Sequence, residues 1–324
     1  MSETGTTTAA TAARADEVLA EIERAVVGKR AALEQILTGV LAHGHILIED
    51  LPGMGKTLIA RSFATVFGLD FTRVQFTPDL LPADLLGSTV YEQSTGEFVL
   101  RKGPVFTHVL LADEINRTPP KTQSALLEAM AEGQVSIDGT THRLAEPFLV
   151  LATDNPIEYE GTYPLPEAQL DRFCLRVRLG YLPADGEVEM LRRRLRRGAE
   201  PERLCAVLTP ADLLLMRESV ESVSVHADVL DYVVTLADAT RNHHQVDVGA
   251  SPRAELDLVQ LARGRALLAG RDYVIPEDIK ALTSPAWAHR VALRPEMWVR
   301  RVRPEQVLAD LLDRTPVPRV GPSS

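Results

Sequence analysis

The sequence predicts an α/β domain, a parallel sheet sandwiched by helices, followed by a small all-helical domain. Short, mostly apolar runs at 45–48, 109–112 and 148–152 lack the alternation of a half-solvated strand, so they read as strands covered on both faces. The segments between them carry apolar residues at helical spacing, as at Leu58, Ala60, Phe63 and Val66. Beyond Tyr181-Leu-Pro183 the strand signal stops, and residues 210–312 keep helical periodicity with only 272–275 reading as a short strand.

Each element follows in order. Residues 1–14 are rich in Thr and Ala and read as a disordered tail. Ala15, Val18, Leu19 and Ile22 then define a helix, which Gly28 breaks, and Leu33, Ile36, Leu37 and Val40 define a second. The strand at 45–48 ends in the turn cluster Asp50-Leu-Pro-Gly53, and a helix and a strand at 71–76 follow. Segments 90–99, turning at Ser94-Thr-Gly96, and 134–144, turning at Asp138-Gly139, read as hairpins. Residues 175–179 alternate apolar and basic, as an edge strand would. The expected division is a tail at 1–14, the α/β domain at 15–183, a connector at 184–208, the helical domain at 209–315 and a loose Pro-rich tail at 316–324.

Composition narrows the possible functions. A chain of 324 residues, 45% hydrophobic, suits one large domain and a smaller one. A formal charge of −10 and a pI near 5.4 argue against a nucleic-acid partner held by bulk attraction to phosphate. Two cysteines, Cys174 and Cys205, support neither a disulfide framework nor a zinc site, which fits a reducing compartment. The N-terminal stretch has no basic leader or apolar core, and no apolar run approaches the ~20 residues that span a bilayer. A cytoplasmic protein without membrane insertion is expected.

Two motifs carry chemistry. The first is Glu49-Asp-Leu-Pro-Gly-Met-Gly-Lys-Thr57, between a strand and a helix, which is the order a phosphate-binding loop requires. Backbone N–H groups of Gly53, Met54 and Gly55 and the helix N-terminus would face the phosphates of ATP. Lys56 would reach the β- and γ-phosphates, Thr57 would offer its hydroxyl to Mg²⁺, and Leu58 follows in the helix's first turn. The loop departs from G-x-x-x-x-G-K-[ST] at Asp50, where the pattern has glycine. Aspartate tolerates left-handed turn geometry better than most residues, but its carboxylate must turn away from the phosphates. The second motif, Val109-Leu-Leu-Ala-Asp-Glu114, runs a buried strand into two carboxylates. Asp113 would hold the Mg²⁺ shell, and Glu114, facing the other way, would polarise the attacking water.

With those motifs placed, the chain closely resembles the MoxR family of AAA+ ATPases from about Ile22 to Leu312. The most specific stretches are Gln75-Phe-Thr-Pro-Asp-Leu-Leu-Pro-Ala-Asp84, Ala152-Thr-Asp-Asn-Pro156, Glu160-Gly-Thr-Tyr-Pro-Leu-Pro-Glu-Ala-Gln-Leu-Asp-Arg-Phe173 and Gly249-Ala-Ser-Pro-Arg-Ala254. The resemblance implies that Asn155 is the sensor orienting the lytic water and that Arg172 is the arginine finger inserted into a neighbouring subunit's site. It implies that Arg253 is the second sensor, reaching the γ-phosphate from the helical domain, and that Val27 and Gly28 line the adenine pocket. Taken alone, Asn155-Pro156 also reads as a turn, Arg172 as a salt-bridge partner of Asp171, Arg253 as a solvated first-turn arginine, and Val27-Gly28 as a helix break. The two hairpins match family insertions that project from the ring, which makes them candidates for partner contact.

The resemblance further implies a homo-oligomeric ring, hexameric in the family, that hydrolyses ATP to remodel partners bearing a von Willebrand factor A domain. Two alternatives stay open: a nucleic-acid motor or loader, and a nucleotide-gated regulator with slow turnover. Arg192-Arg-Arg-Leu-Arg-Arg197 reads as paired surface charge because Glu187 and Glu189 lie one turn earlier. His243-His244 has no supporting ligand cluster for a metal.

Overall fold

The computed structural model describes residues 3–155, 161–198 and 200–318. Chain order is α1 (Glu3–Ala25), α2 (Arg30–Leu41), β1 (His45–Glu49), α3 (Lys56–Val66), β2 (Phe71–Gln75) and α4 (Pro82–Leu86). A hairpin of β3 (Gly87–Glu92) and β4 (Glu97–Lys102) precedes β5 (Val109–Asp113), a 3₁₀ turn (Ile115–Arg117) and α5 (Pro120–Glu132). A second hairpin, β6 (Gln134–Ile137) and β7 (Thr140–Arg143), leads to β8 (Leu149–Asp154), α6 (Glu167–Leu170) and β9 (Phe173–Val177). The remainder is α7 (Ala184–Arg197), α8 (Pro210–Glu221), α9 (Ala227–Arg241), β10 (Val246–Val248), α10 (Pro252–Leu268), α11 (Pro276–Trp287), β11 (Ala292–Leu293), α12 (Pro295–Val299) and α13 (Pro304–Arg314).

The main sheet is parallel, in the order β2-β5-β8-β1-β9. Register brings the C-terminal ends of the strands to one edge, with Glu49 opposite Asp154 and Gln75 opposite Asp113. The N-terminal ends lie at the other edge, where His45 pairs with Phe173. Parallel sheets of this kind bind ligands beyond the C-terminal ends of their strands. In β8, Leu149 and Leu151 face one core while Val150 and Ala152 face another, as a period of two demands. The first core runs through α1, α2 and α3 and on to Leu258, Trp287 and Leu308, so no gap in packing marks the expected boundary at 183. The second packs α5 and Val135 and Ile137 of β6 on the opposite face.

Both hairpins, the edge position of β9 and the burial of the three central strands follow the expectation. The alternating basic residues of β9 and the loop after it are paired: Arg178 lies 2.5 Å from Glu49, and Arg176 lies 2.7 Å from Glu305 of α13.

Three expectations need correction. The N-terminal tail is helical from Glu3, because Thr8 and Thr11, 2% and 7% exposed, extend the buried stripe of Ala15, Val18, Leu19 and Ile22. The polar threonines conceal that stripe in the sequence. The helical domain contains the β10–β11 pair, and 272–275 supplies only an isolated bridge between Tyr273 and Ser224, whereas the helical stretch expected at 192–197 falls within α7. Of the expected C-terminal tail, residues 319–324 lie outside the described residues, as do Pro156 and Glu160 of the resemblance stretches.

His45 opens β1 with both ring nitrogens engaged: Val150 N–H donates to Nδ1 at 3.0 Å, and Nε2 donates to the Met130 carbonyl at 3.0 Å. Burial pushes its pKa down from 6.5 to about 4. The folded state therefore resists a proton that the unfolded chain accepts. That contribution is whole above pH 6.5 and is lost as pH falls toward 4, by up to about 3 kcal/mol. Urea midpoints measured across that window should drop, and His45→Gln should flatten part of the slope; an unchanged slope would assign the acid lability elsewhere.

Candidate functional site

The phosphate loop joins β1 to α3 at the C-terminal edge of the sheet. Gly53 and Gly55 adopt φ of +82° and +88°, and a Cβ built on either would meet nothing within 4 Å. Backbone conformation alone requires glycine there, and the space in front of the loop is open. Gly55 caps α3, so the helix's first N–H groups face that space. Lys56 Nζ donates to the carbonyls of Asp50 at 2.6 Å and Asp154 at 3.3 Å. Burial lowers its pKa, and the charges of Asp113, Asp50, Asp154 and Glu114 oppose that shift. Thr57 follows, partly buried; Met54 packs on the first core and Leu58 is exposed.

Asp50 shows how the loop dispenses with its first glycine. The residue lies outside the left-handed region, so no tolerance of that geometry is needed. Its Oδ2 accepts Leu179 N–H and Gly180 N–H, both at 2.7 Å, and Oδ1 accepts Leu51 N–H at 2.8 Å. The carboxylate turns away from the phosphate cradle and staples the loop to the chain leaving β9. Lys29 grips the same segment, donating to the Leu179 carbonyl at 2.9 Å. Asp50→Gly restores the full motif yet should destabilise the fold by about 2–4 kcal/mol, because three N–H groups lose a charged acceptor. Thermal melting checks this, and a melting point at or above wild type would refute the staple.

At the adjoining strand ends, Asp113 is nearly buried and Glu114 holds a φ of +58°. Thr153, fully buried, fixes both: its hydroxyl donates to Asp113 Oδ1 at 2.6 Å and accepts Glu114 N–H at 2.8 Å. Arg73 of β2 lies 2.7 Å from Asp113 Oδ2 and donates to Gln75 Oε1 at 2.9 Å. Gln75 in turn donates to Glu114 Oε2 at 2.7 Å, and Arg117 lies 3.3 Å from that oxygen. Thr153, Arg73 and Gln75 are site residues that the sequence reading missed. The signals existed: a lone threonine breaking an apolar strand, and two polar residues two apart on the strand beside Asp113. Asn155 follows β8, 2% exposed, at the same edge.

The loop, Asp113, Glu114 and Asn155 thus converge on the ends of neighbouring strands. Amide donors, an ammonium, a hydroxyl and a carboxylate suit a magnesium-bound triphosphate: hard oxygen ligands for the cation and N–H donors for the anion. Val27 and Gly28 flank this edge, because Gly28, at φ +65°, lies against Leu182 just past the Asp50 staple.

Arg172 and Arg253 are not brought there. Arg172 precedes β9, whose first residue pairs with His45, so about 15 Å of strand separates it from its own phosphate loop. Its Nη1 donates to the Leu127 carbonyl of α5 at 2.5 Å. Arg253 sits in the first turn of α10, where Ser251 donates to Asp171 Oδ1 at 3.2 Å, and its charge acts on His45 at the start of β1. The helical domain packs on α1, α2 and β9, which carries Arg253 to the end of the sheet bearing Arg172.

Other features are quieter. Arg193 and Arg196 of α7 pair with Glu189, one of the two glutamates expected, and Arg197 pairs with Glu202. His243 and His244 stack at 4.6 Å, and the described residues hold no group of three His, Cys, Asp or Glu able to bind a metal. Among the described residues no helix is long and apolar enough to cross a membrane. The β3–β4 hairpin exposes Tyr91 and Phe98, paired edge-to-face at 5.3 Å.

Comparison with known proteins gives a consistent answer. Residues 45–175 match the ATPase family associated with various cellular activities (AAA), and residues 238–311 match the AAA lid domain. The chain is 46% identical to YeaC of Bacillus subtilis over 92% of each protein. It is 42% identical to the chaperone MoxR1 of Mycobacterium tuberculosis, covering 94% of this chain and 83% of that one. It is 33% identical to the MoxR protein of Methylorubrum extorquens over 90% of each. The crystal structure of a candidate ATPase from Cytophaga hutchinsonii superposes with a TM-score of 0.89 at 39% identity, covering 97% of both chains.

Proposed function

Because this chain belongs to the MoxR family of AAA+ ATPases, we propose that it hydrolyses ATP as a ring and uses that energy to remodel a partner protein. The observation that carries the ring is the placement of Arg172 and Arg253 at the opposite end of the sheet from their own phosphate loop. A guanidinium there serves no purpose for its own nucleotide and suits that of a neighbour packed head to tail.

In this reading the N–H groups of Gly53, Met54 and Gly55 and the start of α3 cradle the triphosphate. Lys56 leaves the Asp50 and Asp154 carbonyls for the β- and γ-phosphates. Thr57 and Asp113 would hold magnesium, which supplies charge neutralisation on the phosphates. Glu114 draws a proton from the attacking water, Asn155 orients that water, and the neighbour's Arg172 stabilises the charge developing on the γ-phosphate. Arg253 adds a second positive charge at the same interface, and Val27 and Gly28 border the base. The hexamer and a partner bearing a von Willebrand factor A domain come from the family resemblance. The exposed Tyr91–Phe98 pair supports partner contact at the β3–β4 hairpin.

Turnover per subunit, measured against protein concentration, should rise as subunits assemble. A rate per subunit that stays flat across the assembly range would overturn shared sites. A second reading, a nucleotide-gated regulator with slow turnover, draws on the Gln75 amide bonded to Glu114. Basal turnover that Gln75→Ala raises severalfold would favour it.

A further inference from the structure

The segment that carries Arg172 is held from the helical domain. Arg290, its side chain 1% exposed, donates through Nη2 to the carbonyls of Asp171 at 3.2 Å and Phe173 at 2.9 Å. The same nitrogen lies 2.5 Å from Asp257 Oδ2, and Arg290 Nε lies 3.4 Å from Asp171 Oδ1. His289 Nε2 also meets the Phe173 carbonyl, at 2.8 Å. Ser251 completes the set: its hydroxyl donates to Asp171 Oδ1 at 3.2 Å and accepts Ala254 N–H at 3.1 Å, capping α10.

A buried guanidinium is costly and is retained where its geometry matters. Asp257 alone could neutralise Arg290. The other contacts fall on the two residues that flank Arg172: His289 and Arg290, in the turn after α11, reach the Asp171 and Phe173 carbonyls, and Ser251, just before α10, reaches the Asp171 carboxylate. Asp257 lies on the same stretch of α10 as Arg253. Any shift of that helix moves the residues bracketing Arg172.

We propose that Asp171, Ser251, Asp257 and Arg290 form a clamp through which the helical domain of one subunit aims Arg172 at the next subunit's nucleotide. The clamp rests on the reading of Arg172 as a residue donated between subunits, and its members are positioning residues. The position of one lid thereby sets the hydrolysis rate next door, because a guanidinium displaced by about 1 Å loses much of its effect on a transition state.

Subunit mixing tests it. A Lys56→Ala chain cannot turn over its own nucleotide but carries an intact Arg172; an Arg172→Ala chain has the converse defect. Mixed, they should recover hydrolysis at interfaces where the first serves the second. Adding Asp171→Asn to the Lys56→Ala chain should cut that recovery at least tenfold through kcat, with KM for ATP unchanged and with normal melting and assembly. Ser251→Ala in the same background, a smaller change, should cut it severalfold and carries the test if Asp171→Asn melts early. Full recovery with both clamp variants would overturn the clamp and leave the shared site standing. No recovery with Lys56→Ala alone would overturn the shared site, and the clamp with it.

Discussion

Glu114→Gln is expected to bind ATP within about twofold of wild type and to hydrolyse it roughly 10²–10⁴ times more slowly, the span of a positioned general base. The amide keeps the shape of the carboxylate but cannot accept a proton from water. The surroundings should tolerate the exchange. Glu114 is held through its backbone, by Thr153 and a φ of +58°, and the polar Gln75 side chain can flip to pair with an amide. Fluorescent-nucleotide binding measures the first half and single-turnover hydrolysis the second. Turnover within tenfold of wild type would place the base elsewhere. The same variant, held in its ATP state, is the form in which to look for the protein that co-purifies.

Arg172→Ala should lower kcat by about 10³ or more, the range found when an arginine finger is removed from phosphoryl transfer. It should leave nucleotide affinity nearly intact, since Arg172 precedes the start of β9, about 15 Å of strand from its own loop. The dependence of turnover on protein concentration should vanish with it, even though sedimentation still reports assembly. A variant that keeps wild-type kcat at saturating protein would show that Arg172 serves its own chain's packing through the Leu127 carbonyl. The two substitutions are distinguishable by mixing: Arg172→Ala is rescued by a neighbour, whereas Glu114→Gln silences its own site whatever lies beside it.

The phosphate loop and the acidic strand end were legible because chemistry constrains them locally, in residues adjacent along the chain. The central strands were legible because burial on both faces leaves uninterrupted apolar runs at 109–112 and 148–152. What escaped depends on contacts between distant segments. Nothing near Asp50 foretells that its carboxylate will meet the amides of Leu179 and Gly180. Thr153 looks like one polar residue in a strand until Asp113 is set beside it. The start of α1 escaped because threonine hides a helical stripe that only packing reveals. Arg253 was assigned a family role that its sequence context permits, but which nucleotide it can reach depends on where the helical domain docks, and periodicity says nothing of that.

The Asp50 staple has a mechanical corollary. One residue offers its carbonyl to the ammonium of Lys56 and its carboxylate to the amides beyond β9. Whatever draws that lysine forward frees the Asp50 carbonyl while the carboxylate of the same residue stays tied to the chain beyond β9. One side chain therefore anchors the tip of the cradle to the exit of the sheet, and that anchor does not depend on where the lysine points.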